Sequence, residues 1–348
     1  MANRSRTMEA TLIPGDGIGP EITEAVLQVL EALGAPFVWD VQQAGTTAVE
    51  AGLDPLPDAT LESIRRTGLA LKGPLTTPSS GGYRSVTVRM REAFDLYANV
   101  RPGKTIIPGR YDNVDIILVR ENLEGLYVGR EHYIGVGADP HAVGVGIGIN
   151  TKEEAHRVIR YAFDLAVRLG RKRVTVVHKA NILKILSGVF LEAAQEVARD
   201  YHGRVTLDES IVDACAMQLV MAPERFDVIV TTNLFGDILS DLIAGLVGGL
   251  GLAPGANIGD KAAIFEAVHG SAPDIAGKGV ANPTALLMAV GMMLDHVGET
   301  AKANHLRAAI LATLQAGEKT RDLGGSLRTP EFAQAIIRSL QKPRRCQG

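Results

Sequence analysis

The chain has 348 residues, 46% hydrophobic and 22% charged, the balance of an ordinary globular protein with length for two domains. A net charge of −3 supplies no basic field for nucleic acid or an anionic membrane, so an acidic substrate must be held by local arginines. Two cysteines, Cys215 in an apolar run and Cys346 in a polar tail, are too few for a disulfide framework and suit a reducing compartment. The opening residues MANRSRTM lack the apolar core of a signal peptide, and no apolar run is long enough to span a bilayer, so the expected location is cytoplasmic.

Residues 10–13 read as a buried strand, and Pro14-Gly15-Asp16-Gly17-Ile18-Gly19-Pro20-Glu21 turns it into a helix running to about Leu33. A GxGxxG dinucleotide fingerprint would need glycine at position 20, where Pro20 stands, so the usual Rossmann reading is rejected. A strand over 37–42, a helix over 56–66 and a strand over 69–72 continue an alternating α/β order. The polar stretch 73–82, rich in glycine, serine and proline, reads as a loop that delivers Ser85, Thr87 and Arg91 to one neighbourhood. Arg101 follows, and Arg120 ends the apolar strand 115–119. Each arginine alone suits a surface ion pair. Together, at the ends of regular elements, they suit a site for several carboxylates, because guanidinium grips a carboxylate through two parallel hydrogen bonds.

The glycine- and valine-rich stretch 133–150 reads as a hairpin arm with few side chains to bury by itself, which implies pairing with a second subunit. A helix over 152–169 and a strand over 173–177 lead to His178-Lys179-Ala180-Asn181, placing Lys179 where open α/β sheets collect ligands, or as a surface lysine. After a helix over 184–198 and a strand over 205–212, Asp213 opens an apolar helix as an N-cap or as a metal ligand. The strand 228–230 feeds a helix carrying Asp237 and Asp241 on one face, one turn apart. Two carboxylates among Leu234, Phe235, Ile238, Leu239, Leu242, Ile243 and Leu246 either lie on a solvated face or share a hard divalent cation, Mg²⁺ or Mn²⁺. The stretch 252–259, a strand over 262–266, and a small-residue loop over 267–283 follow. The last of these has backbone N–H groups suited to phosphates. Helices over 284–297, 300–316 and 329–340 close the chain, with Lys342 to Arg345 as a frayed tail.

The motifs PGDGIGPE, DLYANVRP, VRENLEGLY, HKAN, NLFGDILSDLIAGLVGGLGLAPGANIG and HGSAPDIAGKGVANP resemble those of the decarboxylating β-hydroxyacid dehydrogenases across essentially the whole chain. This is the family of isocitrate, homoisocitrate and 3-isopropylmalate dehydrogenases, and the chain looks most like its NAD-dependent isocitrate dehydrogenases. The resemblance implies an isopropylmalate dehydrogenase-like α/β fold, not a Rossmann fold, with two α/β domains sharing a continuous sheet region. A large NAD-binding domain would comprise 1–98 and 250–348. A small domain, 99–249, would hold the metal and dimer elements with a clasp arm near 130–150. The implied activity is oxidative decarboxylation of isocitrate to 2-oxoglutarate and CO₂ with NADH formation, a tricarboxylic acid cycle reaction dependent on Mg²⁺ or Mn²⁺.

By motif position, Ser85, Thr87, Arg91, Arg101 and Arg120 would bind the hydroxy-acid, and Asp237 and Asp241 would hold the metal with Asp213 of the second subunit of a homodimer. Tyr127 and the second subunit's Lys179 would be the acid/base pair. His269, Gly270, Ser271, Ala272, Asp274, Ile275 and Asn282 would line the NAD site. Relatives that use NADP usually carry lysine and tyrosine where Asp274 and Ile275 stand, and a carboxylate there repels a 2′-phosphate. Ser85 matches the isocitrate pattern, whereas Thr87 stands where asparagine is usual and leaves homoisocitrate or 3-isopropylmalate as alternatives. A non-catalytic regulatory subunit, the alternative of another class, would have lost some of the tyrosine, lysine and aspartates, all of which are present.

Overall fold

The computed structural model describes residues 7–78, 82–107, 109 and 111–342, and it divides into two compact units. Residues 79–81 of the glycine-serine loop, 343–345 of the basic tail and Cys346 lie outside the described residues. The first unit takes the described residues of Met1–Phe94, Thr105–Arg110 and Val247–Gly348; the second takes Asp95–Lys104 and Tyr111–Leu246.

The chain begins with β1 (Met8–Ile13), α1 (Gly19–Leu33), β2 (Phe37–Val41), α2 (Thr46–Glu50), α3 (Asp58–Thr67), β3 (Leu69–Lys72) and α4 (Val86–Ala93). Helix α1 starts with Pro20 in its first turn and stops at Gly34, whose left-handed φ of 65° closes the helix without Cβ strain. Helix α4 was not expected from its valine-rich sequence. Its start is set by Ser85, whose hydroxyl accepts from the Val88 N–H at 3.5 Å.

The second unit is β4 (Ala98–Lys104), β5 (Asp115–Glu121), β6 (Gly125–Val136), β7 (Asp139–Ile149), α5 (Lys152–Arg168), β8 (Arg173–His178), α6 (Leu186–Ala198), β9 (Thr206–Ile211), α7 (Val212–Met221), β10 (Val228–Thr231) and α8 (Asn233–Leu246). Its sheet runs β4-β5-β10-β8-β9, parallel throughout except for the antiparallel β4/β5 pair. Helices α5, α6 and α8 pack on these strands, which explains why β10 is buried along its whole length and reads as a plain apolar run. Strands β6 and β7 form a separate antiparallel hairpin with Tyr133, Ile134, Val136, Val143 and Ile147 exposed.

The chain then returns to the first unit with β11 (Pro254–Ile258), β12 (Ala263–Ala267), α9 (Thr284–His296), α10 (Thr300–Gln315) and α11 (Thr329–Gln341). The sheet order there is β2-β1-β3-β12-β11, parallel apart from the antiparallel β11/β12 pair. Strand β11 lies inside the stretch 252–259, for which the sequence suggested no strand. Pro254 is tolerated because it is the strand's first residue. Among the described residues no helix is long and apolar enough to cross a membrane.

Candidate active site

In the second unit, parallel register brings the ends of β5 and β10 side by side, with Thr231 opposite Arg120, and α8 begins two residues later. Antiparallel register sets Asn99 of β4 opposite Arg120. Arg101 and Asn99 share a strand face, and Arg101 Nε donates to Asn99 Oδ1 at 3.1 Å. Both arginines then converge on α8. Arg101 Nη1 donates to Ser240 Oγ at 2.7 Å and to Asp237 Oδ1 at 3.1 Å, and Arg120 Nη1 donates to the same Asp237 oxygen. Arg120 Nε and Nη2 both reach Asn233 Oδ1, at 3.1 and 2.6 Å.

The surface ion-pair reading of the arginines fails: relative exposure is 6% at Arg91, 9% at Arg101 and 1% at Arg120. Such side chains are buried only when held by several acceptors. Arg120 also packs against Gly236, where an added Cβ would sit 2.6 Å from Arg120 Cγ. Its guanidinium carbon lies 5.0 Å from the centre of the Tyr127 ring, a cation–π arrangement.

Tyr127, on β6, donates its hydroxyl to Asp237 Oδ2 at 2.6 Å. Burial, together with this bond to a carboxylate, raises the phenol above its ordinary value, so it keeps its proton. Asp241, one turn beyond Asp237, has its carboxyl raised by partial desolvation and by the Asp237 charge, against the pull of Arg101, whose Nη1 is 3.9 Å away. Two hard oxygen donors one turn apart, one of them disfavoured as an anion by its neighbour, fit a divalent cation that would neutralise both. Among the described residues, no group of three His, Cys, Asp or Glu side chains is placed to hold a metal, so within the chain Asp213 does not join Asp237 and Asp241.

Asp213 instead pairs with Lys179. Strands β8 and β9 are neighbours, with His178 opposite Ile211, and the residues that follow them meet: Lys179 Nζ donates to Asp213 Oδ1. That bond is the main cause of the lowered Asp213 carboxyl. Asp213 is not the N-cap of α7; Ile211 holds that position, and Asp213 lies in the first turn. After each partner in the chain come exposed apolar side chains, Ile182 and Ile185 beyond Lys179 and Met217 and Met221 beyond Asp213, Ile185 being 84% exposed. Ile238, on the same turn of α8 as Asp237, is exposed too, whereas Leu239, Ile243 and Leu246 are core.

In the first unit, β1, β3 and β12 are parallel neighbours, and the loops after their carboxyl ends interlock. Asp16 is buried and accepts from Thr76 N at 2.8 Å and Thr47 N at 3.2 Å. Thr76 and Ser271 hydroxyls bond at 2.7 Å, and Ile18 N donates to Ser271 O at 2.9 Å. Gly17 has to be glycine, because a Cβ would stand 2.0 Å from Ser271 O. Ala272 adopts the left-handed region at φ 40°, strain held in place at this loop.

Within that loop His269 Nδ1 lies 3.0 Å from Gly270 O, while Nε2 is buried without a hydrogen-bond partner. Burial lowers the imidazole below its usual value, so the ring is neutral with an orphan nitrogen, as a nucleotide base edge would complete it. Asn282 Oδ1 accepts from Thr284 N at 2.9 Å at the start of α9, and its amide donates to Asp322 at 2.9 Å. Asp274 is exposed and Ile275 half-buried. Ser85 and Thr87 begin α4, and Arg91 lies on its buried side, with Nε donating to Asn257 Oδ1 at 3.0 Å. The residues that orient the arginines, Asn99, Asn233, Ser240 and Asn257, were not singled out from the sequence. Only Asn99 and Ser240 carried a local signal, two residues before Arg101 and three after Asp237.

Buried arginines converge here on one carboxylate beside a raised phenol and a second carboxylate. A family model described as isocitrate/isopropylmalate dehydrogenase matches residues 9–336. A solved structure of isocitrate dehydrogenase from Methylococcus capsulatus is 53% identical, with a TM-score of 0.93 over 97% of this chain and 100% of that one. A 3-isopropylmalate dehydrogenase of Archaeoglobus fulgidus is 48% identical over 93% of this chain and 97% of its own length. An Arabidopsis thaliana mitochondrial NAD isocitrate dehydrogenase catalytic subunit is 48% identical over 94% and 87%. The chain belongs to the isocitrate/isopropylmalate dehydrogenase family. It is therefore a decarboxylating dehydrogenase of the class that acts on a hydroxy-acid with a divalent metal and a nicotinamide cofactor.

Proposed function

We propose that the chain is an NAD-dependent isocitrate dehydrogenase, converting isocitrate to 2-oxoglutarate and CO₂ as a cytoplasmic homodimer. The observation that carries this reading is the convergence of Arg101, Arg120 and Tyr127 on Asp237, because it gathers carboxylate-binding and proton-donating groups beside a cation-binding pair. Arg91, Arg101 and Arg120 pair with the substrate's carboxylates, and Ser85, whose hydroxyl oxygen is used by its own helix, still has its O–H to donate to the third. Asp237 and Asp241, with Asp213 of a second copy, hold Mg²⁺ or Mn²⁺. When bound, the cation supplies polarisation of the substrate's hydroxyl and adjoining carboxylate, and NAD supplies the hydride acceptor.

Lys179 of the second copy takes the hydroxyl proton. Loss of CO₂ from the position β to the new carbonyl leaves an electron pair on carbon, and Tyr127, protonated because its phenol is raised, delivers the proton there. Two features support assembly with a second copy: Lys179 and Asp213 pair with each other and not, among the described residues, with those around Asp237, and exposed apolar side chains follow each of them in the chain. NAD is favoured by exposed Asp274, which accepts from ribose hydroxyls and repels a 2′-phosphate.

Thr87, half-buried in the first turn of α4, is the observation that favours a second reading, homoisocitrate or 3-isopropylmalate, since it brings one hydrogen-bonding group and a methyl in place of an amide. The test is NADH formation with Mg²⁺ from isocitrate, homoisocitrate and 3-isopropylmalate, each with NAD and with NADP. Highest kcat/KM for isocitrate with NAD supports the proposal; preference for another acid replaces isocitrate, and no turnover of any acid refutes the catalytic reading.

A further inference from the structure

Arg91 belongs to a buried charge cluster whose other members the chemistry above does not use. Lys72 ends β3, and Glu266 stands opposite it in the parallel register with β12. Both side chains are buried; Lys72 Nζ lies 2.7 Å from Glu266 Oε2 and donates to the Gly73 carbonyl at 3.0 Å. The other oxygen, Glu266 Oε1, accepts from Asn257 Nδ2 at 2.7 Å, and it lies 3.6 Å from Arg91 Nη2. Asn257 Oδ1 completes the chain by accepting from Arg91 Nε. Four elements, β3, α4, β11 and β12, thus contribute one residue each.

The order of donors and acceptors in this chain has only one solution. An asparagine amide donates from nitrogen and accepts at oxygen. With Nδ2 turned to a carboxylate, Oδ1 must face Arg91, and a guanidinium held at Nε has the plane of its fork fixed. Burial acts to raise the Glu266 carboxyl, but Lys72 and Arg91 outweigh it and hold it at about 2, so the acceptor is an anion throughout the neutral range.

We propose that Glu266 is a positioning residue: through Asn257 it fixes the plane in which Arg91 presents its guanidinium to a carboxylate of the substrate, while its second oxygen neutralises Lys72. The choice of substrate carboxylate rests on the functional reading given above, but the orientation of Arg91 does not.

Two readouts separate these. In ¹⁵N-labelled full-length protein without substrate, the Arg91 Nε–H resonance should be protected from solvent exchange, and the protection should be lost in Glu266→Leu, which removes the acceptor for Asn257 Nδ2, and in Asn257→Leu. Asn257→Leu leaves both charges of the Lys72–Glu266 pair in place, so it serves if Glu266→Leu fails to fold. Unaltered protection in a folded variant would overturn the proposal. In the second readout, calorimetric affinity for isocitrate should weaken about tenfold or more in Glu266→Leu, as expected for a misaligned clamp. It should weaken no further when the same change is made in Arg91→Ala, because the two residues act as one. Additive losses would show that Glu266 supports only the fold and would also overturn the proposal. A wild-type protein that binds none of the three acids refutes the functional reading instead, and the Nε protection then decides the positioning role alone.

Discussion

Glu121 shows how a single side chain can carry an unusual proton affinity without touching the chemistry. It follows Arg120 on β5, is buried, and accepts from the Leu123 and Glu124 N–H groups at 2.5 and 3.0 Å. Burial is the main cause that pushes its carboxyl up from 4.5 to about 7, with Glu124 and Glu154 adding repulsion. The folded chain therefore holds this proton where the unfolded chain has released it, so stability falls as pH rises between about 4.5 and 7 and is flat above. The predicted span is about 3 kcal/mol. Glu121→Gln keeps an acceptor for both N–H groups and removes that slope, so the variant should gain on the wild type by about that much between pH 4.5 and pH 7 in denaturant melts. Parallel curves would contradict the assignment. None of this was legible in the sequence, because Glu121 owes its burial to packing and not to its neighbours in the chain. The arginines were legible as candidates, since strand ends beside apolar runs marked them. Their burial was not, because Asn233 and Asn257, which make it tolerable, reach them across 113 and 166 residues.

Helix α8 is the element most readable in advance: its carboxylates recur at the spacing of one turn and its leucines and isoleucines mark the core face. What the pattern hides is Gly236. Its missing side chain lets Arg120 lie against the helix, where an added methyl would come within 2.7 Å of Arg120 Cβ as well as Cγ. These are the inner atoms of the side chain, so relief requires moving the guanidinium. Gly236→Ala gains about 1 kcal/mol of helix propensity against roughly 1–3 kcal/mol of overpacking, a net loss of about 0–2 kcal/mol. The larger effect should fall on kcat/KM, reduced on the order of tenfold or more in steady-state assays of the folded variant. Unchanged kinetics would mean that Arg120 has no fixed task. Strand β11 and helix α4 were hidden for opposite reasons. Proline and glycines disguised a strand whose partner β12 supplies its order, and β-branched valines disguised a helix begun by the Ser85 cap.

At the scale of the molecule, the account depends on assembly. Lys179 and Asp213 meet because β8 and β9 are neighbours, whereas Tyr127, Asp237 and Asp241 meet around the ends of β5 and β10. The apolar side chains exposed on α7, on the hairpin β6/β7 and before α6 are the surface a second copy would cover. The sequence suggested the hairpin's need for a partner from its glycine-valine alternation, but one chain's sequence does not say which residues a neighbour completes. The most direct test co-expresses two separately tagged variants, Asp237→Asn and Lys179→Met, each inactive alone, and assays NADH formation from isocitrate with Mg²⁺. If each site takes Asp237 from one chain and Lys179 from the other, every mixed dimer has one intact site, and a random mixture should recover about a quarter of wild-type activity. Activity that stays at the level of the separate variants, while the mixed dimer is isolated by its two tags, would contradict the account.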